Sequence, residues 1–277
     1  MTIPFVKTQA VGNDFLVVEG ALLRKLGFPE RLYPDLARQI CHRYFGVGAD
    51  GLELVFPRSL DSPREVDAVI RIFNSDGSEA EISGNGTRCV AAWLIEAKSG
   101  RETLHIATKA GVKKLRLTGR DGNRFFLEMS MGQPIYQEDD LGCLLETNLG
   151  THSVTVVNVG NPQCVLMVEN LDLDWRALGR EIEVHPRFQD RTNVSFVKVL
   201  NRNTIDVRFW ERGAGETASS GSGSTGATVA AILSGNVESP VKVVTTAGDM
   251  NLRWEDNDVI LEGPAEIVAS GEYRWNQ

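Results

Sequence analysis

Short runs rich in β-branched and aromatic residues recur along the whole chain, with Gly, Asn or Asp between many of them. This pattern predicts strands over 15–19, 66–73, 103–108, 112–117, 125–129, 153–159, 164–169, 193–199, 204–210, 241–246 and 258–263. Helical periodicity is confined to four stretches: 29–45, restarted at Pro34; 86–100, ended by Gly100; 173–182; and 223–235, ended by Gly235. Asp121-Gly122, inside "GRDGNR" (119–124), predicts a turn and the preferred boundary between two parts of the chain.

The second and fourth helices resemble each other. "EISGNGTRC" (81–89) and "ASSGSGSTG" (218–226) each place Ser-Gly-x-Gly before an apolar helix with a Val-Ala-Ala core and a Ser-Gly end. Aligning Ser83 with Ser220 also aligns Gly84 with Gly221 and Gly86 with Gly223, with an acidic residue shortly upstream of each (Glu79 or Glu81, and Glu216). One copy per half is a weak internal repeat. It predicts an α+β protein of two similar halves with a site in a cleft between them.

Bulk properties narrow the class. A chain of 277 residues suits one large or two modest domains. With 42% hydrophobic and 24% charged residues it reads as a globular protein. A net charge of −8 and no Lys/Arg cluster argue against a nucleic-acid partner. No apolar run approaches about 18 residues, so no membrane span is expected, and the opening "MTIPFVKTQAVGNDF" does not read as a signal peptide. Cys41, Cys89, Cys143 and Cys164 are scattered, and His42, His105, His152 and His185 form no ligand motif. Neither a metal site nor a disulfide framework is expected, and a cytoplasmic location with reduced thiols is.

A helix N-terminus offers unpaired N–H groups and the positive end of a dipole, and glycine lets a ligand come close to them. Two such ends would hold an anion such as an α-carboxylate. GxxxxGK[ST] and a strand-borne GxGxxG are both absent, so a nucleotide is disfavoured. If the first side chain of each turn exchanges protons, one can take a proton from one face of a carbon while the other returns one to the opposite face. Cysteine suits that task; serine is a much weaker acid and needs a neighbouring base.

"TQAVGNDFLVVE", "FNSDGSEAEISGNGTRCVAAWL", "NVGNPQCV", "RTNVSFV" and "FWERGAGETASSGSGSTGATVAAIL", in that order, resemble the diaminopimelate epimerase family, from near residue 7 to "LEGPAEIVASGEY". The resemblance implies two pseudo-symmetric α/β halves, each a curved, mostly antiparallel sheet around a central helix, at about 1–122 plus 268–277 and 123–267. It implies inversion at the α-carbon of a small amino-acid substrate, interconverting LL- and meso-diaminopimelate without metal or pyridoxal phosphate. It also implies a homodimer, in lysine and cell-wall precursor synthesis. Ser83 and Ser220 fall at the base and acid positions. Asn13 and Asn74 would hold substrate. Gly84, Asn85, Gly221 and Ser222 would bind its α-carboxylate. Asn161 and Asn193 would add polar contacts, and Glu211 and Arg212 would grip its charged ends. Taken alone, each Asn reads equally as a turn residue bonding its own backbone.

The chain departs from the family pattern at telling places. The two catalytic cysteines of the family are serine here, its "GNPHC" histidine is Gln163, and its second cysteine-bearing block reads "SSGSGST". Three readings stay open: cysteines replaced by substitution; a natural variant whose serines are activated by Glu211, Glu79, Glu81 or water; or a homologue that binds an amino acid, or isomerises another substrate, without the two-base reaction.

Overall fold

The computed structural model describes residues 1–58, 66–97 and 101–276. The chain divides into two compact units, Met1–Met129 with Pro264–Gln277, and Ser130–Gly263.

The first unit contains β1 (Thr2–Ala10), β2 (Asn13–Glu19), α1 (Gly20–Lys25), α2 (Tyr33–Ile40), β3 (Gly51–Pro57), β4 (Ala68–Asn74), β5 (Glu79–Ala80), α3 (Gly84–Ala97), β6 (Thr103–Thr108), β7 (Gly111–Asp121) and β8 (Arg124–Ser130). Its sheet is built by one sequence of pairings. β1–β2 is antiparallel, β2–β3 parallel, β3–β4 antiparallel, β4–β5 antiparallel, β4–β6 parallel, β6–β7 antiparallel and β7–β8 antiparallel. The core beneath it joins Leu16, Leu52 and Phe73 of the sheet to Tyr33, Leu36 and Ile40 of α2.

The second unit contains β9 (Cys143–Thr147), β10 (Gly150–Asn158), β11 (Pro162–Met167), α4 (Trp175–Glu183), β12 (Asn193–Asn201), β13 (Thr204–Glu211), β14 (Gly215–Thr217), α5 (Gly221–Leu233), β15 (Val241–Thr245) and β16 (Gly248–Glu255), and it receives the start of β17 (Asp258–Arg274). From β10 onward the pairings repeat those of the first unit step for step. β10–β11 is antiparallel, β11–β12 parallel, β12–β13 and β13–β14 antiparallel, β13–β15 parallel, and β15–β16 and β16–β17 antiparallel. In both units the central helix, α3 or α5, follows the shortest strand and packs on the strands that precede it. The internal repeat seen in two glycine-rich turns therefore extends through the whole topology.

Register makes the correspondence residue by residue. Phe15 pairs with Gly51 and Gly51 with Asn74; Gln163 pairs with Asn193 in the same parallel step, and Val194 with Trp210 in the next. Counting along the strands matches Asn13 with Asn161, Glu53 with Ser195 and Asn74 with Glu211.

Several expectations are corrected. Asp121-Gly122 is the tip of the β7–β8 hairpin, where Asp121 pairs with Arg124, so the turn lies inside a unit. The division falls at 129/130 and 263/264, where the expectation was 122/123 and 267/268. The helix expected over 29–45 is a 3₁₀ turn at Glu30–Leu32 followed by α2, which stops at Ile40. Tyr44 and Phe45 do not continue its apolar face and are exposed. α3 and α5 begin two residues earlier than expected, because Ser83 and Ser220 are their caps. Gly100 lies outside the described residues. Strands β1, β3, β5, β9, β14 and β16 were not expected.

In the second unit α4 lays Trp175, Leu178 and Ile182 on Leu166, Val194 and Phe196. Its N-terminus is capped by Asp174, whose carboxylate accepts the Ala177 N–H at 3.1 Å. Phe196 is fully buried, with its ring 6.0 Å from that of Trp175. Phe196→Ala removes this contact and leaves a cavity, at an expected cost of about 3–5 kcal/mol. The check is the shift in denaturant midpoint for loss of the Trp175 fluorescence environment.

Candidate active site

The two serine turns are built alike. Ser83 Oγ accepts the Gly86 N–H at 3.0 Å, and Ser220 Oγ accepts the Gly223 N–H at 3.1 Å. Each hydroxyl thus satisfies one N–H that the first helical turn leaves without a carbonyl. The N–H groups of Gly84 and Asn85, and of Gly221 and Ser222, precede it at the positive end of the helix. Gly84, Asn85, Gly221 and Ser222 are all buried.

A second matched bond holds the turns to their sheets. Asn85 Nδ2 donates to Asn13 Oδ1 at 3.3 Å in the first unit, and Asn161 Nδ2 donates to Ser222 Oγ at 3.3 Å in the second. Asn13 also donates to Asp50 Oδ2 at 2.6 Å. Gln163, fully buried, donates from Nε2 to Asn161 Oδ1 at 2.7 Å. The expected residues Asn13, Ser83, Gly84 and Asn85 are brought together, as are Asn161, Ser220, Gly221 and Ser222.

Asn193, Glu211 and Arg212 form the floor of the second turn. Asn193 Oδ1 accepts the Arg212 N–H at 3.0 Å, and Asn193 Nδ2 donates to the Pro162 carbonyl at 2.9 Å. Glu211 accepts two hydroxyl protons, from Ser220 at 3.0 Å and from Thr217 at 2.5 Å. It therefore lies beside Ser220, one of the two places expected for it, the other being a charged end of the substrate. The Arg212 guanidinium donates to the Asp190 carbonyl at 3.0 Å. Asn74 closes a turn of its own: its N–H bonds the Ser78 carbonyl at 2.8 Å and its side chain bonds Ser78 Oγ at 2.9 Å.

Of the carboxylates proposed to activate Ser83, Glu79 is committed elsewhere. Arg71 holds it at 2.8 and 3.1 Å and Lys109 at 2.8 Å. The Arg71 bond is the main cause that keeps its carboxyl below the ordinary range.

Three residues important to the site were not expected from sequence. Arg88, fully buried, reaches back from α3 to the Gly84 carbonyl at 3.1 Å and to Asn85 Oδ1 at 2.7 Å. Burial lowers its pKa to about 10. Asp50 anchors Asn13 and is itself held by Arg43. Glu53 is fully buried beneath α3, and neither of its carboxyl oxygens has a hydrogen-bond partner among the described residues. Burial raises its pKa to about 8. A lone acid within the apolar run Gly51–Phe56 was the available signal for it.

The cysteines near the turns are inert. Burial pushes the Cys89 thiol up to about 12 and drives Cys164 further up. Among the described residues no group of three or more His, Cys, Asp or Glu could hold a metal ion, and no helix is long and apolar enough to cross a membrane.

Residues 5–137 and 155–268 match the family described as diaminopimelate epimerase. The chain belongs to the diaminopimelate epimerase family. It is 41% identical to the diaminopimelate epimerase of Pelotomaculum thermopropionicum, covering 98% of this chain and 99% of that protein. It is 40% identical to that of Moorella thermoacetica, over 97% and 98% of the two. Among solved structures, a hydroxyproline epimerase from Agrobacterium vitis shares the fold with a TM-score of 0.75 at 15% identity, over 98% of this chain and 92% of that one. A phenazine biosynthesis protein from Bacillus anthracis does so with a TM-score of 0.70 at 17% identity, over 98% and 99%. This diaminopimelate epimerase family member thus shows the α+β fold with its internal repeat intact.

The buried acid makes stability depend on pH. Glu53 holds its proton in the folded chain up to about 8, whereas the unfolded chain releases it near the ordinary value of 4.5. The stability it permits is complete below that lower value and is lost as pH rises to about 8. Glu53→Gln carries no such loss. Its melting temperature should exceed that of the unmodified protein by several degrees at pH 9 and by much less at pH 5. A gap that does not change with pH refutes this.

Proposed function

We propose that this protein is a cofactor-independent isomerase that interconverts LL- and meso-diaminopimelate by proton transfer at the α-carbon, with Ser83 and Ser220 as the transferring groups. Membership of the family supplies the substrate class. The observation that carries the serine chemistry is the Ser220–Glu211 hydrogen bond of 3.0 Å, which gives a weak acid the neighbouring base it requires.

The α-proton leaves as Ser220 Oγ takes it and Ser220 passes its own proton to Glu211. The electron pair stays on the carbon and spreads into the substrate carboxylate. N–H groups at a helix start favour that growing negative charge. Asn13, Asn85, Asn161 and Asn193 supply amide partners for the ammonium and carboxylate groups of a doubly zwitterionic substrate, and Arg212 supplies a cation. A proton returned from the other serine completes the inversion. The four free cysteines support a cytoplasmic setting, and family analogy supports a homodimer.

The test is incubation with LL-diaminopimelate in heavy water. Deuterium at the α-carbon with formation of the meso isomer is expected, slow near pH 7 and faster in base. Binding without exchange means an amino-acid-binding homologue instead. Ser83→Cys with Ser220→Cys should raise the rate near pH 7 by at least about tenfold, since a thiol ionises far more readily than a hydroxyl. No gain means the surroundings have adapted to serine.

A further inference from the structure

Ser220 has a carboxylate in hydrogen-bond contact, and Ser83 at the matching position has none among the described residues. The residue of the first unit that matches Glu211 is Asn74, an amide occupied with Ser78. The carboxylate of the first unit stands one strand over. Glu53 lies on β3 where the second unit has Ser195, and both residues sit under the third residue of the central helix. Ser195 Oγ donates to the Gly223 carbonyl at 3.5 Å. A Cβ built on Gly86 would lie 1.7 Å from Glu53 Oε1 and 3.2 Å from Ser83 Cβ. The carboxyl group of Glu53 therefore lies against Gly86, in the turn that Ser83 caps, without a hydrogen bond to the Ser83 hydroxyl.

We propose that Glu53 is the proton acceptor that works through Ser83, doing from beneath the helix what Glu211 does for Ser220. The proposal rests on the epimerase reading and extends it to the second serine. Ser83 Oγ accepts the Gly86 N–H, and its own proton is free to rotate about the Cβ–Oγ bond towards Glu53. When Ser83 Oγ takes the substrate α-proton, the C–H electron pair stays on carbon, the Ser83 O–H bond breaks, and its proton moves to a Glu53 carboxylate oxygen. In the reverse direction the Glu53 proton returns to Ser83 as Ser83 protonates the carbon. Glu53 never meets substrate, so it is a positioning residue for the proton.

The groups packed around Glu53 do not compete with it for the proton. Its register partners are apolar, Val17 on β2 and Ile72 on β4. On α3 the titratable group that senses it is Cys89, which also bonds Thr8 of β1 and lies in the fields of Arg88 and Asp14. The Cys89 thiol stays neutral across the working range, so it neither takes the proton nor repels the carboxylate.

The experiment compares α-deuteration of LL- and meso-diaminopimelate between pH 6 and 10 by the unmodified protein, Glu53→Gln, and Glu53→Gln with Ser83→Cys. The unmodified protein should exchange faster as pH rises through about 8. Glu53→Gln, which keeps the shape and removes the base, should lose about 100-fold at the top of that range and lose the rise itself. Adding Ser83→Cys should restore most of the rate, because a thiolate forms without a carboxylate behind it. A Glu53→Gln variant with the unmodified rate and profile overturns the proposal and leaves the epimerase reading standing. So does a slow Glu53→Gln that Ser83→Cys fails to rescue, which assigns Glu53 a packing role only. Absence of exchange in the unmodified protein overturns the epimerase reading itself, and this proposal with it.

Discussion

In each unit a strand passes so close beneath the first turn of the central helix that the third helical residue has no room for a side chain. At Gly86 the obstruction is the Glu53 carboxyl; at Gly223 a Cβ would meet the Phe209 ring at 2.7 Å and Ser220 Cβ at 3.0 Å. That approach presses the helix start against the sheet, buries Gly84 and Gly221, and leaves the capping serine as the side chain at the edge of each turn. The cap, the donor N–H groups and the Asn–Asn or Asn–Ser tie to the neighbouring strand all depend on it. Glycine spacing in the sequence records this packing limit more than any need for a flexible loop.

Much of this was legible. Ser-Gly-x-Gly ahead of an apolar helix announced both turns, because a capping hydroxyl and close-packed glycines leave few other sequences available. The family blocks named the residues around them. The strands with uninterrupted β-branched runs were found, while Gly51–Pro57 was not, since Glu53 breaks the apolar pattern of a strand buried on both faces. β1 and β16 alternate polar and apolar residues weakly, and β5 and β14 are too short to show any period. Arg88 was unreadable for a different reason. A cation on a helix reads as solvated until packing buries it, and Arg88 then bonds the Gly84 carbonyl and Asn85 one turn back on its own helix. Glu211 had been offered both as a grip on the substrate and as one of three carboxylates near the serines, and only the fold shows that Ser220 is the serine it meets.

The two units have kept one topology and diverged in where they keep charge. Asn74 and Glu211 match in register, as do Glu53 and Ser195, so each unit has one carboxylate and one neutral polar group at this pair of positions, in opposite order. Glu211 is hydrogen-bonded by two hydroxyls, whereas the Glu53 carboxyl has no hydrogen-bond partner among the described residues and burial pushes its pKa up to about 8. The two acids at these matched positions therefore sit in unlike surroundings.

The burial of the native thiols has a practical side. Cys41, Cys89 and Cys164 are sealed in the interior, and Cys143 alone keeps part of its surface. Burial has pushed the Cys41 and Cys89 thiols up to about 12 and Cys164 further up, which leaves Cys143 as the native thiol open to alkylating reagents. With Cys143 replaced, the protein is a quiet background for such reagents. A cysteine introduced at either turn would stand out by its reactivity, and the rate at which it is modified would report directly on the field that each helix end creates.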